Sequence, residues 1–119
     1  MHTQHQEAAR ICWDCRHICQ TTLFTHCLAE GGKHTAEEHV KLMIDCMEIC
    51  QTAADFMTRG SSLHAEICMA CAKVCLACAE SCELIGDDTM LECAKKCREC
   101  AASCEAMGKH EEAAKFVTA

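Results

Sequence analysis

The chain has 119 residues, half of them apolar, which is enough for one domain around a single core. Its formal charge is −7 with basic residues scattered rather than clustered, which argues against a nucleic-acid partner. No window approaches the roughly 18 apolar residues of a membrane span, and the absence of proline with only three Phe and one Trp favours helix over strand.

The first predicted helix covers residues 4–29. Its seam steps by three and four through His5, Ala8, Cys12, Cys15, Cys19, Thr22 and His26. Leu23 and Cys27 continue from Cys19 on an adjacent row, so Cys27 still faces inward. Trp13, beside Cys12, reads as a packing or subunit contact. Gly31-Gly32 stops the helix. Thr35-Ala-Glu-Glu38 has the form of a capping box, opening a second helix over 36–58 with the seam His39, Met43, Cys46, Cys50, Ala53, Met57. Gly60-Ser61-Ser62 closes it.

The third helix, 63–85, places His64, Cys68, Cys71, Cys75, Cys78 and Cys82 on one stripe, thiols where leucines normally stand. Gly86 falls at the C′ position, and Asp87 or Asp88 can cap a fourth helix over 88–107. That seam runs Met90, Cys93, Cys97, Cys100, Cys104, Met107, and Gly108 is expected to end it. The tail from 109 to 117 is expected to add a short helical piece, with Phe116 and Val117 packing on the bundle or on a neighbour. The stretch from Cys71 to Gly86 repeats in that from Cys93 to Gly108, matching at all four cysteines and at the closing glycine. Four helices with short connections predict an all-α, antiparallel up-down-up-down four-helix bundle with a cysteine-lined core.

Fifteen cysteines in a short chain would suggest a disulfide scaffold, but the count is odd and the spacing is helical rather than loop-like. Met1-His-Thr-Gln-His-Gln-Glu has neither a basic start nor an apolar run, so a reducing, cytoplasmic location is expected. A lone buried cysteine is usually a small hydrophobe. Cysteines along four aligned seams are better explained as ligands, since leucine packs better and resists oxidation. The predicted metal ligands are Cys12, Cys15, Cys19, Cys27, Cys46, Cys50, Cys68, Cys71, Cys75, Cys78, Cys82, Cys93, Cys97, Cys100 and Cys104.

Thiolate and thioether are soft donors that select Cu(I), zinc or iron–sulfur clusters. Zinc prefers closed sets of four, into which a continuous seam does not naturally divide. The loop spacing of cluster motifs and the Cys-x-x-Cys-His of c-type haem are absent. Cu(I) accepts two or three sulfurs and makes use of the methionines. His26, His39, Met43, Met47 and Met90 gather near one predicted end and could serve as weaker ligands at a metal entrance. His5, Met57, His64, Met107 and His110 fall at the other end. No catalytic triad, phosphate loop or carboxylate pair stands out, so an enzyme is not expected. A zinc or general soft-metal buffer and a thiol redox or iron–sulfur protein are the alternatives.

The repeated C-x₂-C-x₃-C pattern from Cys12 to Cys104 resembles the bacterial cysteine-rich four-helix-bundle copper storage proteins, and the lack of an export signal resembles their cytosolic branch. The resemblance implies many Cu(I) ions held by core thiolates, storage or detoxification inside the cell, and often a homotetramer. A copper chaperone or small-thiol donor would be the partner. Ala53 and Met57 stand in seam positions where thiols are otherwise expected, which implies a lower capacity.

Overall fold

The computed structural model describes the backbone of residues 3–118 and the side chains of residues 4–109. Helix α1, Thr3–Thr21, passes without a break into a π-helical stretch, Thr22–Cys27, and a last α-helical turn, α2, Leu28–Glu30. A 3₁₀ turn, Gly32–Thr35, leads to α3, Glu37–Thr58, followed by α4, His64–Ile85, and α5, Asp88–Thr118. There is no strand among the described residues. The arm α1–α2 packs against α3 and α5, and α4 packs against the same two helices from the opposite corner. The result is a rod of 52 × 21 × 20 Å with four helical arms alternating in direction.

The core is small-residue throughout. All fifteen cysteines are completely buried, and none is in a disulfide. Alanines follow the cysteines on α4 and α5: Ala72, Ala79, Ala94 and Ala101 are buried directly after Cys71, Cys78, Cys93 and Cys100. Their short side chains let the two helices approach closely, and the Glu83 carboxylate clasps the Arg98 guanidinium across them with two 2.7 Å bonds. Larger side chains, Leu23, Met43, Met57 and Met90, fill the wider spaces toward the ends.

Four local expectations need correction. The first helix is not uniformly α. Eight residues of α-helix from Cys19 would carry Cys27 about 80° beyond it, out of the seam. The π stretch turns less per residue and returns Cys27 to full burial.

Thr35 forms no capping box. Its hydroxyl donates to the Gly32 carbonyl, and Ala36 takes the N-cap position of α3 without a side-chain bond. The glycine pair has already turned the chain through two left-handed residues, which commits Thr35 to the 3₁₀ turn.

Gly108 does not end the last helix, which runs on to Thr118. A Cβ at Gly108 would stand 2.4 Å from Met69 Sδ and 3.2 Å from the Ala65 carbonyl oxygen, so this glycine serves close helix packing rather than termination. The tail is thus part of α5 rather than a separate short piece, and the side chains of His110, Phe116 and Val117 lie outside the described residues. By contrast Gly86 does adopt the left-handed C′ conformation, with φ 85° and its N–H on the Cys82 carbonyl. Asp87 rather than Asp88 caps α5, accepting from the Met90 N–H at 2.9 Å.

Candidate metal centre

Each helical arm projects cysteines at three- and four-residue steps, so the sulfurs meet along the bundle axis. Cys12 and Cys104 stand 3.4 Å apart, and Cys12 and Cys100 3.7 Å. Cys50 then lies 3.8 Å from both Cys100 and Cys71, and 3.6 Å from Cys75. Cys46 continues from Cys75 at 3.7 Å and reaches Cys15 and Cys19 at 3.9 Å each. Cys19 closes on Cys97 at 3.6 Å and Cys93 at 3.8 Å. No step in this path is longer than an ordinary sulfur–sulfur contact.

Within it, three sets of four sulfurs converge tightly enough to share an ion: Cys12, Cys71, Cys100, Cys104; Cys15, Cys50, Cys75, Cys100; and Cys15, Cys19, Cys46, Cys97. The sets overlap, with Cys100 in the first two and Cys15 in the last two. Bonds near 2.3 Å to sulfur put three ligands in a plane about 4.0 Å apart, so the observed spacing needs little adjustment for trigonal coordination. Cys27, Cys68, Cys78, Cys82 and Cys93 are as deeply buried but stand outside these sets.

The end where α2 finishes and α5 begins is lined with other soft donors. Cys27 Sγ lies 3.6 Å from Met90 Sδ and 3.6 Å from His39 Nε2, and Cys82 Sγ lies 3.5 Å from Met43 Sδ. His39 Nδ1 is 2.8 Å from Ser81 Oγ, a contact that holds the ring with Nε2 toward Cys27. Met47 is half-buried on the flank of the core, outside this cluster. His26 turns away from the sulfurs toward Asp87, at 3.2 Å. At the opposite end His5 and His64 pack with ring centres 4.5 Å apart, near the buried Met57 and Met107.

Among the described residues the buried polar side chains are Thr22, His34, His39 and His64, with no Lys or Arg to hold a thiolate charged. Burial pushes the Cys27 thiol up to about 11. Deeper in, hydrogen bonds with Cys100, Cys104 and Cys71 push Cys12 up, and those with Cys15, Cys46, Cys78 and Cys93 push Cys19 up. The same mutual hydrogen bonds push Cys15 and Cys78 down as they push Cys12 and Cys19 up, and with no buried cation to hold a thiolate, desolvation favours a neutral, apolar packing of thiols when metal is absent. Burial likewise lowers His39, favouring the neutral imidazole that a metal requires.

His34, Asp87 and Ser81 carry site geometry that the helical seam does not foretell. His34 and Asp87 sit in turns, off any periodic stripe. Ser81, one residue before Cys82, gave no signal beyond its place in the repeat.

The sequence model described as copper storage protein matches residues 1–109. The chain belongs to the copper storage protein family. Among solved structures, it is similar to the Nmul_A1745 protein of Nitrosospira multiformis, with 42% identity, a TM-score of 0.84, and 89% of this chain and 95% of that one covered. The Cu(I)-bound copper storage protein BsCsp3 is 32% identical with a TM-score of 0.82, covering 89% and 99%. The apo form of copper storage protein 3 from Bacillus subtilis is 33% identical with a TM-score of 0.76, covering 86% and 96%. No curated protein sequence matches the chain. Family membership and the bundle agree with the fold expected from the seams. All fifteen cysteines line the interior, with Ala53 and Met57 buried in the α3 seam beside them, and no helix among the described residues is long and apolar enough to cross a membrane.

Proposed function

We propose that this chain stores Cu(I) in the cytoplasm, binding many ions through its fifteen core thiolates and catalysing no reaction. The observation that carries the reading is the sharing of Cys100 and Cys15 between neighbouring four-sulfur sets. Shared corners suit an ion that takes two or three sulfurs and whose ligands bridge, so the lining fills as a connected store. Met43, Met90 and His39 form the entrance, weaker ligands that pass ions to Cys27 and Cys82, with Met47 on its flank. A copper chaperone or a small-thiol donor delivers the metal there. Trp13, Phe24, Leu28, Leu84 and Leu91 leave large apolar side chains exposed, which supports assembly of the chain into a homo-oligomer, a tetramer by family resemblance.

One observation favours a second reading. In the set Cys15, Cys19, Cys46 and Cys97, four contacts of 3.6–3.9 Å also come close to the edge of a zinc tetrahedron, about 3.75 Å. Protein loaded with Zn(II) and then challenged anaerobically with Cu(I) separates the two. Copper storage predicts complete release of zinc from the core, with X-ray absorption reporting copper bound to two or three sulfurs. Zinc that remains on the thiolates in the presence of excess Cu(I) would establish the buffer instead.

A further inference from the structure

Outside the sulfur lining, His26, His34 and Asp87 meet from three separate segments. His26 comes from the π-helical stretch, His34 from the 3₁₀ turn and Asp87 from the cap of α5. His34 Nε2 lies 2.5 Å and His26 Nε2 3.2 Å from the same oxygen, Asp87 Oδ2. The three ligand atoms are all within 4.8 Å of one another, and the two rings stand nearly edge to face, with centres 5.2 Å apart and planes at 79°. We propose that these residues form a separate site for a borderline divalent cation of the Zn(II) or Cu(II) class, distinct in chemistry from the thiolate core.

The arrangement is built rather than incidental. Asp87 Oδ1 is occupied by the Met90 N–H, which orients the carboxylate and leaves Oδ2 for the two imidazoles. Gly31 and Gly32, at φ 68° and 57°, reverse the chain so that His34 folds back beside His26, a path that side chains with a Cβ rarely follow. Burial is graded: His34 is 9% exposed at its side chain, His26 25% and Asp87 38%. One side is therefore closed by protein and the other open, which leaves room for water as a fourth ligand.

Donor chemistry sets the class of ion. Imidazole nitrogen and carboxylate oxygen suit divalent zinc or copper, whereas Cu(I) is drawn to thiolate and thioether. Bonds of about 2.0–2.1 Å in a tetrahedron separate ligand atoms by about 3.4 Å. His26 is already near that separation from Asp87, and His34 reaches it by withdrawing about 1 Å, through rotation of a side chain. Binding requires both Nε2 atoms unprotonated and the carboxylate ionised. The soft cargo and the divalent ion thus occupy neighbouring places without competing for ligands, since His26 is followed directly by Cys27, which faces the other way into the core.

The test uses full-length protein first saturated anaerobically with Cu(I). The copper stoichiometry reached at that stage judges the storage reading by itself. Zn(II) is then titrated in competition with a chromophoric zinc chelator, for the wild type and for His26→Ala, His34→Ala and Asp87→Asn. Asparagine retains an oxygen for the Met90 N–H, so the α5 cap survives, and far-UV circular dichroism confirms the fold of each variant. The expected result is about one Zn(II) per loaded wild-type chain, bound roughly tenfold or more weaker in each variant, with Cu(I) capacity unchanged. Should His34→Ala fail to fold, Asp87→Asn and His26→Ala decide. A loaded wild type that retains no zinc, or folded variants that retain it as tightly, would overturn the proposal.

Discussion

Cys12 and Cys104 are 92 residues apart in the chain, yet their sulfurs are 3.4 Å apart across the contact of α1 with α5. The pair lies toward one end of the lining, with Cys68 beside Cys104, in a set whose Cys100 also belongs to the neighbouring set. Removing a shared sulfur therefore reaches further than removing one that belongs to a single set. Cys100→Ala is expected to lose about two Cu(I) ions and Cys104→Ala about one, because a shared thiolate bridges ions on both sides. Equal losses in the two variants, measured by anaerobic titration, would mean that the sets do not share ions.

The metal-free protein is expected to be fully helical. Protonated thiols are apolar enough to fill the core, so folding does not wait for the metal as it does in zinc fingers. Far-UV circular dichroism of reduced apo-protein and of Cu(I)-loaded protein should agree, and loading should raise the melting temperature. Helix that appears only when copper is added would contradict this.

Copper loading should expel protons. Burial holds Cys27 protonated up to about 11, and no buried cation compensates the core thiols. Each thiol that becomes a ligand gives up its proton, so apparent affinity rises with pH and falls as pH is lowered. For Cys27, whose thiol is pushed up to about 11, the sign is fixed throughout the neutral range. Titration in weak buffer should release about one proton per thiol engaged. No proton release would show that the thiols are not the ligands.

At the entrance, Met43→Leu with Met90→Leu keeps apolar volume while removing both thioethers. The thiolates that set capacity are untouched, so total Cu(I) bound should stay the same while loading from a competing thiol donor slows several-fold. Stopped-flow or timed chelator competition measures it. Unchanged loading kinetics would move the entrance elsewhere.

Gly108 supports a stability prediction. Alanine there gains up to about 1 kcal/mol in helix propensity, offset by displacement of the Met69 side chain and a 3.2 Å approach to the Ala65 carbonyl. Gly108→Ala should therefore be near neutral in urea denaturation of the apo-protein. Gly108→Leu should cost about 1–3 kcal/mol, because its added atoms must enter the α4–α5 contact. A harmless leucine would contradict the close packing.

The seams made the bundle legible because cysteine, alanine and methionine recur at helical spacing between glycine stops, and Gly86 with Asp87 behaves as local rules require. Gly108 was misleading because its sequence context matches that of Gly86. Whether a glycine ends a helix or admits a neighbouring one depends on Met69 and Ala65, some forty residues earlier. The sequence places Cys27 inward, but the π-helical stretch that turns it there leaves no mark in a 3.6-residue pattern. His34 and Asp87 meet only through the turns at both ends of the intervening helices, a relationship no periodicity records.

The most direct measurement of the central claim is anaerobic titration of the reduced protein with Cu(I) in competition with a strong chromophoric chelator. A connected thiolate lining predicts tight binding of on the order of 15 ions per chain, about one per thiolate. Saturation at three ions, one for each four-sulfur set, would contradict it and establish discrete closed sites.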